Sequence, residues 1–337
     1  MGYRLPAEWE PQSAIQLTFP HENSDWKEIL HVVIPCFVEI IEVISRFQKV
    51  LVVCADIKST EKLVGGGIKE NIIFVSIPSN DTWARDHGGI TVQTDNGYKI
   101  WDFQFNGWGN KFEASLDNKI TEELSNKGLF GETPIEQEDF ILEGGAIESD
   151  GKGTLLTTSE CMLNFNRNFL SQNETEIHLK YYFGIKRFLW LFNGYLAGDD
   201  TDSHIDTIVR FCNENTIAYV KCDDEKDEHF QSLKKMEIEL QAFKQVNGKP
   251  YNLIALPFPK AIFDEDGQRL PATYANFLII NGAVLVPIYN VPQDESALKI
   301  LKQVFPERAI IGIDCNALIL QHGSLHCVTM QYPIGII

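Results

Sequence analysis

One pattern recurs along the whole chain and limits how it can fold: a polar cluster, a strand, a tight turn, a second strand, then a helix. The clusters are NDTWARDHGG (80–89), LEGGA (142–146), DDTDSHID (199–206), LPATYAN (270–276) and QHGSLHC (321–327). Strand pairs read as Gly88–Gln93 with Tyr98–Phe103, Ala146–Ile147 with Thr154–Thr157, Ile205–Phe211 with Thr216–Val220, and Phe277–Ile280 with Ala283–Pro287. Asn281-Gly282 in the last pair suits a type I′ turn. Further strands are expected at Ala14–Phe19, Val50–Cys54, Asn71–Ile77 and Ile310–Ile313, with a final one beginning near Cys327. Helical patterns cover Asp25–Phe47, with a kink or break at Pro35, then Leu116–Lys127, Asn173–Phe183, Glu225–Val246 (the longest) and Pro292–Val304. Asn173 and Glu176 have the spacing of a capping box. Five units of about 65 residues account for 337, and repeats of this kind stack or close around an axis. Closure would bring the polar clusters together at the centre. No Pro/Gly-rich linker divides the chain. A single pseudo-symmetric α/β ring over residues 1–337 is therefore expected, although the length alone would allow two domains.

Charge narrows the partners. Lys and Arg total 29 against 47 Asp and Glu, a formal net charge of -18. Nucleic acid and anionic membranes require basic stripes, and the chain has none. Most of the acids read as solvated surface, but any that line a cleft would attract a cation. The longest apolar runs, such as Phe277–Ile280 and Val284–Ile288, fall far short of the ~20 residues of a membrane helix. The N-terminus has no basic segment followed by an apolar one, so a cytoplasmic location is expected. The seven cysteines show no C-x-x-C pair and no disulfide spacing. Cys36, Cys54, Cys212 and Cys315 lie in apolar surroundings and are expected as buried thiols.

Reactive side chains concentrate in the clusters. Cys327 follows a Gly-containing turn and a histidine, which suits a nucleophile as well as a buried thiol. His204 and Asp206, two apart in a strand, would share one face. Carboxylates around His204 would favour its charged form and suit it to proton transfer, although the same segment could be a polar capping loop. Asp86 and Trp83 occur in W-A-R-D, where Arg85 reads as a structural ion-pair partner. Glu143 precedes Gly144-Gly145, where a second backbone could approach closely. His322, His326 and Cys327 with His204 could be read as zinc ligands. H-x-x-x-H needs a helix, however, and Gly323-Ser324 favour a loop, so no metal is expected. No dinucleotide-binding or Walker sequence occurs, so no cofactor is expected.

Taken together these segments resemble the agmatine deiminase family, often called peptidylarginine-deiminase-like, of the guanidine-modifying superfamily. The matching stretches are NDTWARDHGG, LEGGAIESDGKGTLLTTSECMLNFNRN, DDTDSHIDT, LPATYANFLIING and HGSLHCVTMQYP, in the family's order over nearly the whole chain. The resemblance implies a five-bladed α/β propeller and a homodimer as the common assembly. It implies Cys327 as nucleophile, His204 as acid/base, and Asp86 with Asp206 as the pair gripping the guanidinium. Glu143 would support the histidine or the site, and Trp83 would line the substrate slot. Asp200 falls where the family usually carries a glutamate near the far amine, and here the side chain is one methylene shorter. HGSLHC departs from the commoner GGGNIHC at His322, Ser324 and Leu325, while Cys327 and His326 are retained. The implied reaction is hydrolysis of agmatine to N-carbamoylputrescine and ammonia through a cysteine thiouronium, a step of polyamine biosynthesis. The alternative is a deiminase of free or C-terminal peptidyl arginine, whose carboxylate calls for an Arg or Lys near the slot. Arg167 is the candidate for that role, against a second reading as an ion-pair or loop-clamping residue.

Overall fold

The computed structural model describes residues 2–337, and its strands form five separate small sheets. Four sheets share one plan, an antiparallel pair followed by a third strand parallel to the second. They are Ile90–Thr94, Gly97–Gln104 and Ile135–Ile141; then Ile147–Ser149, Thr154–Thr158 and Arg187–Leu191. The other two are Val209–Asn213, Thr216–Lys221 and Asn252–Pro257; then Leu278–Ile280, Ala283–Ile288 and Ala309–Asp314. Both chain ends build the remaining sheet. Thr329–Pro333 pairs antiparallel with Gln12–Thr18, which runs parallel to Lys49–Cys54, and that strand in turn to Ile72–Ser76. The result is the expected five-bladed α/β propeller, closed by the last strand.

A parallel neighbour requires a crossover, and helices supply it before each third strand. The middle strands Thr154–Thr158 and Ala283–Pro287 are buried on both faces, which explains their apolar or Thr-rich runs. Three of the third strands were not foreseen. Ile135–Ile141 reads IEQEDFI and is largely exposed at a sheet edge, so it lacks a hydrophobic pattern.

The helices differ from expectation in detail. The longest is Leu30–Ser45, and it runs on through Pro35. The carbonyl that Pro35 leaves without its usual donor belongs to His31, in the exposed first turn. The pattern over Glu225–Val246 yields only Phe230–Ala242. Asp227 stops it at the start by accepting from the His229 backbone, and a Gln245–Gly248 turn stops it at the end. The capping box sits two residues earlier than expected, between Ser171 and Glu174, on helix Gln172–Phe183. The strand expected from Ile205 begins at Val209, after a single helical turn at Ile205–Thr207. Cys327 likewise lies in the turn preceding Thr329.

These short turns are what the fold brings to its centre. Ala84–His87, Gly144–Ala146 and Ile205–Thr207 touch one another in sequence, and Ala84–His87 also touches the closing strand. The Arg85 amide donates to the Cys327 carbonyl at 3.1 Å, which ties the second blade to the end of the chain. No helix among the described residues is long and apolar enough to cross a membrane. Gly184 ends helix Gln172–Phe183 at φ 65, where a Cβ would lie 1.8 Å from the Tyr3 carbonyl oxygen. Gly184→Ala is expected to lower unfolding stability by about 1–3 kcal/mol in urea denaturation, without altering activity per folded molecule.

Candidate active site

A slot leads from the surface down to Asp86 and Cys327, walled by Trp83, Trp108 and Phe112 and carrying Asp25, Asp81, Asp200 and His322. Trp83 is held by Trp26, with ring centroids 5.6 Å apart. The Trp26 indole donates to Asp81 at 2.9 Å and to Thr82 at 3.0 Å. Gly323 packs flat on Trp83, since a Cβ there would come within 2.2 Å of the ring. His204, Glu143 and Asp206 lie immediately behind the slot floor, fully buried.

Asp86 is oriented by two donors. Trp108 Nε1 reaches Oδ2 and the Gly145 amide reaches Oδ1, each at 3.0 Å. His204 stands between two carboxylates, with Nδ1 3.6 Å from Asp86 Oδ1 and Nε2 3.8 Å from Glu143 Oε2. Neither ring nitrogen has a closer partner among the described residues. Glu143 is held in turn by Arg167 Nε at 2.8 Å, and Cys161 Sγ lies 3.9 Å from it. Asp206 accepts from His326 at 2.7 Å and is 3.9 Å from Cys327 Sγ. Asn276 Oδ1 accepts from the His326 amide at 2.8 Å and lies 3.4 Å from Cys327 Sγ.

All the residues singled out from the sequence therefore meet. Asp86, His204, Asp206, Glu143 and Cys327 form the buried end, Trp83 is a wall, and Asp200 sits at the half-exposed rim. His204 and Asp206 share the site for a different reason than expected, because His204 caps and Asp206 lies within one helical turn, in place of two strand positions. Arg167 takes the loop-clamping role. Besides Glu143 it binds Asp202 at 2.6 Å and the Thr201 carbonyl at 3.1 Å. Arg85 turns away from the slot toward Gln331 and Glu8. Trp108 and Asn276 were missed. Asn276 ends the fourth polar cluster and could have been found by position, whereas Trp108 lies in a Gly-Trp-Gly loop outside any cluster.

Strain marks the same region. Trp108, Asp202, Ser203 and His322 have φ between 56 and 66, which costs a non-glycine residue about 1–3 kcal/mol.

Burial sets the protonation states. It pushes Asp86 up to about 6, against the pull of His204. It opposes the charged imidazolium, but Asp86, Cys161 and Glu143 outweigh it and hold His204 well above the usual histidine range. Burial, reinforced by Asp206 and Asp86, also holds the Cys327 thiol well above its ordinary value. Glu143 is pulled below the carboxylate range despite burial, by His204 and Arg167. These directions favour a neutral Cys327 thiol and a charged His204 near neutral pH.

Two groups of donors lie close enough together to hold a metal ion, Glu143–Cys161–His204 and Glu8–Glu148–His326. In each group an arginine already neutralises the carboxylates, Arg167 in the first and Arg210 in the second. His322 faces the slot while His326 faces a separate cavity, so the two rings do not converge.

Fold and relatives together place the chain in the class of hydrolytic deiminases that act on C–N bonds. Residues 4–333 match the family model of the Porphyromonas-type peptidyl-arginine deiminases, and the chain belongs to that family. A Porphyromonas gingivalis structure, provisionally named an arginine deiminase, is 50% identical with a TM-score of 0.95, and 99% of each chain is covered. The C. jejuni agmatine deiminase, solved as a cysteine-to-serine variant with substrate bound, is 40% identical with a TM-score of 0.93, covering 99% of this chain and 97% of that one. The agmatine deiminase of Pseudomonas aeruginosa (strain LESB58) is 32% identical, over 98% of this chain and 96% of its own.

Gly145 has no room for a side chain, since a Cβ would lie 2.5 Å from His204 Nδ1 and 2.9 Å from Asp86 Oδ1. Gly145→Ala is expected to cut turnover by at least about 100-fold in a steady-state assay, with an almost unchanged melting temperature.

Proposed function

We propose that the chain hydrolyses the guanidinium of agmatine to N-carbamoylputrescine and ammonia. One observation favours agmatine over arginine. The slot lining carries Asp25, Asp81, Asp86 and Asp200 and no Lys or Arg. Arg167, the candidate for a carboxylate-bearing substrate, is committed to Glu143 and Asp202. Lys111, near the rim, is held by Asp202 and the Asp200 carbonyl. An amine tail meets acids in this slot, whereas the carboxylate of an arginine would meet them with like charge.

In this reading Asp86 and Asp206 grip the planar cation through paired N–H donors. Trp83 and Trp108 flank its alkyl chain. The bound cation and protonated His204 offset the burial of charge at Cys327, and the thiol proton passes to solvent to leave the thiolate. The sulfur attacks the guanidinium carbon and an S–C bond forms. His204 protonates the departing nitrogen, the C–N bond breaks, and ammonia leaves. His204, now neutral, takes a proton from water as water attacks the thiouronium carbon. The S–C bond then breaks to give the ureido product and the regenerated thiol. Glu143 holds His204 from the far side. The cysteine-to-serine variant of the C. jejuni enzyme, captured with substrate, fits a sulfur nucleophile. On this reading residues 1–337 act as one catalytic domain, since Asp86, His204 and Cys327 precede strands of three different blades.

Side-by-side assay of agmatine, free arginine and a short C-terminal arginyl peptide tests the reading. The kcat/KM for agmatine is expected to exceed the others by at least about 100-fold. Turnover of arginine alone would instead favour the alternative. Cys327→Ala is expected to abolish turnover while still binding agmatine in calorimetry. The pH profile carries a second expectation. Asp86 grips the cation only when ionised, and its carboxyl titrates at about 6 in the free protein. The kcat/KM for agmatine should therefore fall as pH drops through about 6 and be retained above it.

A further inference from the structure

Behind the slot floor lies a second cavity, lined among others by Glu8, Arg85, Glu148 and His326. The wall between the two cavities is one residue thick. Cys327 and Asp86 face the slot, while their neighbours His326 and Arg85 face the rear cavity. His326 spans this wall. Its Nδ1 lies 2.7 Å from Asp206 Oδ2, and its Nε2 lies 2.6 Å from Glu8 Oε2.

A neutral imidazole carries one N–H and can donate from one nitrogen only. Here a carboxylate oxygen faces each nitrogen, so both contacts are hydrogen bonds only when the ring carries both protons. Cations also crowd the ring. Arg210 Nη2 is 3.1 Å from Nε2, and Arg85 Nη2 is 4.0 Å from Glu8. Glu8 is the group that offsets them at the Nε2 side. It accepts from Arg210 at 2.7 Å, while its other oxygen takes the Ile279 amide at 2.6 Å. Glu148 pairs with Arg210 Nε and accepts from the Phe211 amide at 3.1 Å.

We propose that Glu8 is a positioning residue for the guanidinium clamp: it holds the His326 ring from the Nε2 side, and His326 through Nδ1 in turn holds Asp206 by Oδ2, which leaves Oδ1 for substrate. Asp206 Oδ1 is buried and has no partner among the described residues, as an oxygen reserved for a cation requires. Burial opposes the Asp206 anion, yet the carboxyl is pulled below its ordinary range by the His326 hydrogen bond and charge, with smaller help from His204 and Arg210. The remaining groups around Asp206 are Asp86, Cys327 and Arg85; of these only Cys327 Sγ reaches Oδ2, at 3.9 Å, a much longer contact than that of His326. Through this chain the N-terminal segment, far in sequence from every reacting group, supports the clamp.

The proposal rests on agmatine deimination as the reaction of the site, and the wild-type rate tests that reading separately. Glu8→Gln keeps the shape and the Ile279 contact but removes the charge. It is expected to raise the agmatine KM by about 10-fold with kcat within about threefold, the loss of one charge-assisted hydrogen bond at the clamp. His326→Gln is expected to match it, and the double variant to be no worse than His326→Gln alone. Crystal structures are expected to show the His326 ring against Asp206 in the wild type and displaced from Asp206 in Glu8→Gln. A Glu8→Gln enzyme with an unchanged KM and an undisplaced His326 ring would overturn the proposal. So would equal losses in kcat and melting temperature that Glu8→Asp fails to relieve. A wild type that leaves agmatine untouched would instead refute the function itself.

Discussion

Buried carboxylates must be matched by positive charge or hydrogen-bond donors, and the centre of this propeller is arranged around that requirement. Glu143 has Arg167 and His204; Asp206 has His326; Glu8 and Glu148 share Arg210. Asp86 has no such partner in close contact among the described residues. Its donors are the Trp108 indole and the Gly145 amide, which are neutral, and His204 stands 3.6 Å away. Burial without a close positive partner pushes its carboxyl up to about 6. The same balance accounts for the resting thiol. Burial, reinforced by Asp206 and Asp86, holds the Cys327 thiol well above its ordinary value.

The fold delivers this balance by repetition. Each blade opens with a short turn at the axis, so groups separated by more than a hundred residues meet without long loops. The cost appears as backbone strain at Trp108, Asp202, Ser203 and His322, all beside the slot. Arg167 holds this segment in place at the Thr201 carbonyl and at the strained Asp202 itself.

Much of this was legible in the chain. The five polar clusters located the axial turns, and their chemistry singled out Cys327, His204, Asp86, Asp206 and Glu143, all of which converge. Hairpin turns were readable because Asn-Gly and Asp-Asn-Gly carry their own conformational signal. The third strands were not, because a half-exposed edge such as IEQEDFI has no pattern of its own. The helical turn at Ile205–Thr207 was read as strand because three residues show no period. Glu8 and Trp108 escaped for another reason. Their importance lies in partners, Arg210 and His326 for one and Asp86 for the other, that only the closed ring supplies.

The central claim is that substrate carbon passes onto Cys327. Acid quenching during steady turnover of agmatine, followed by peptide mass spectrometry, tests it directly. The account predicts an adduct of agmatine less ammonia on the peptide containing Cys327 and none on Cys161, the other thiol near His204. Rapid turnover with no adduct on Cys327, or with the adduct on Cys161, would contradict it.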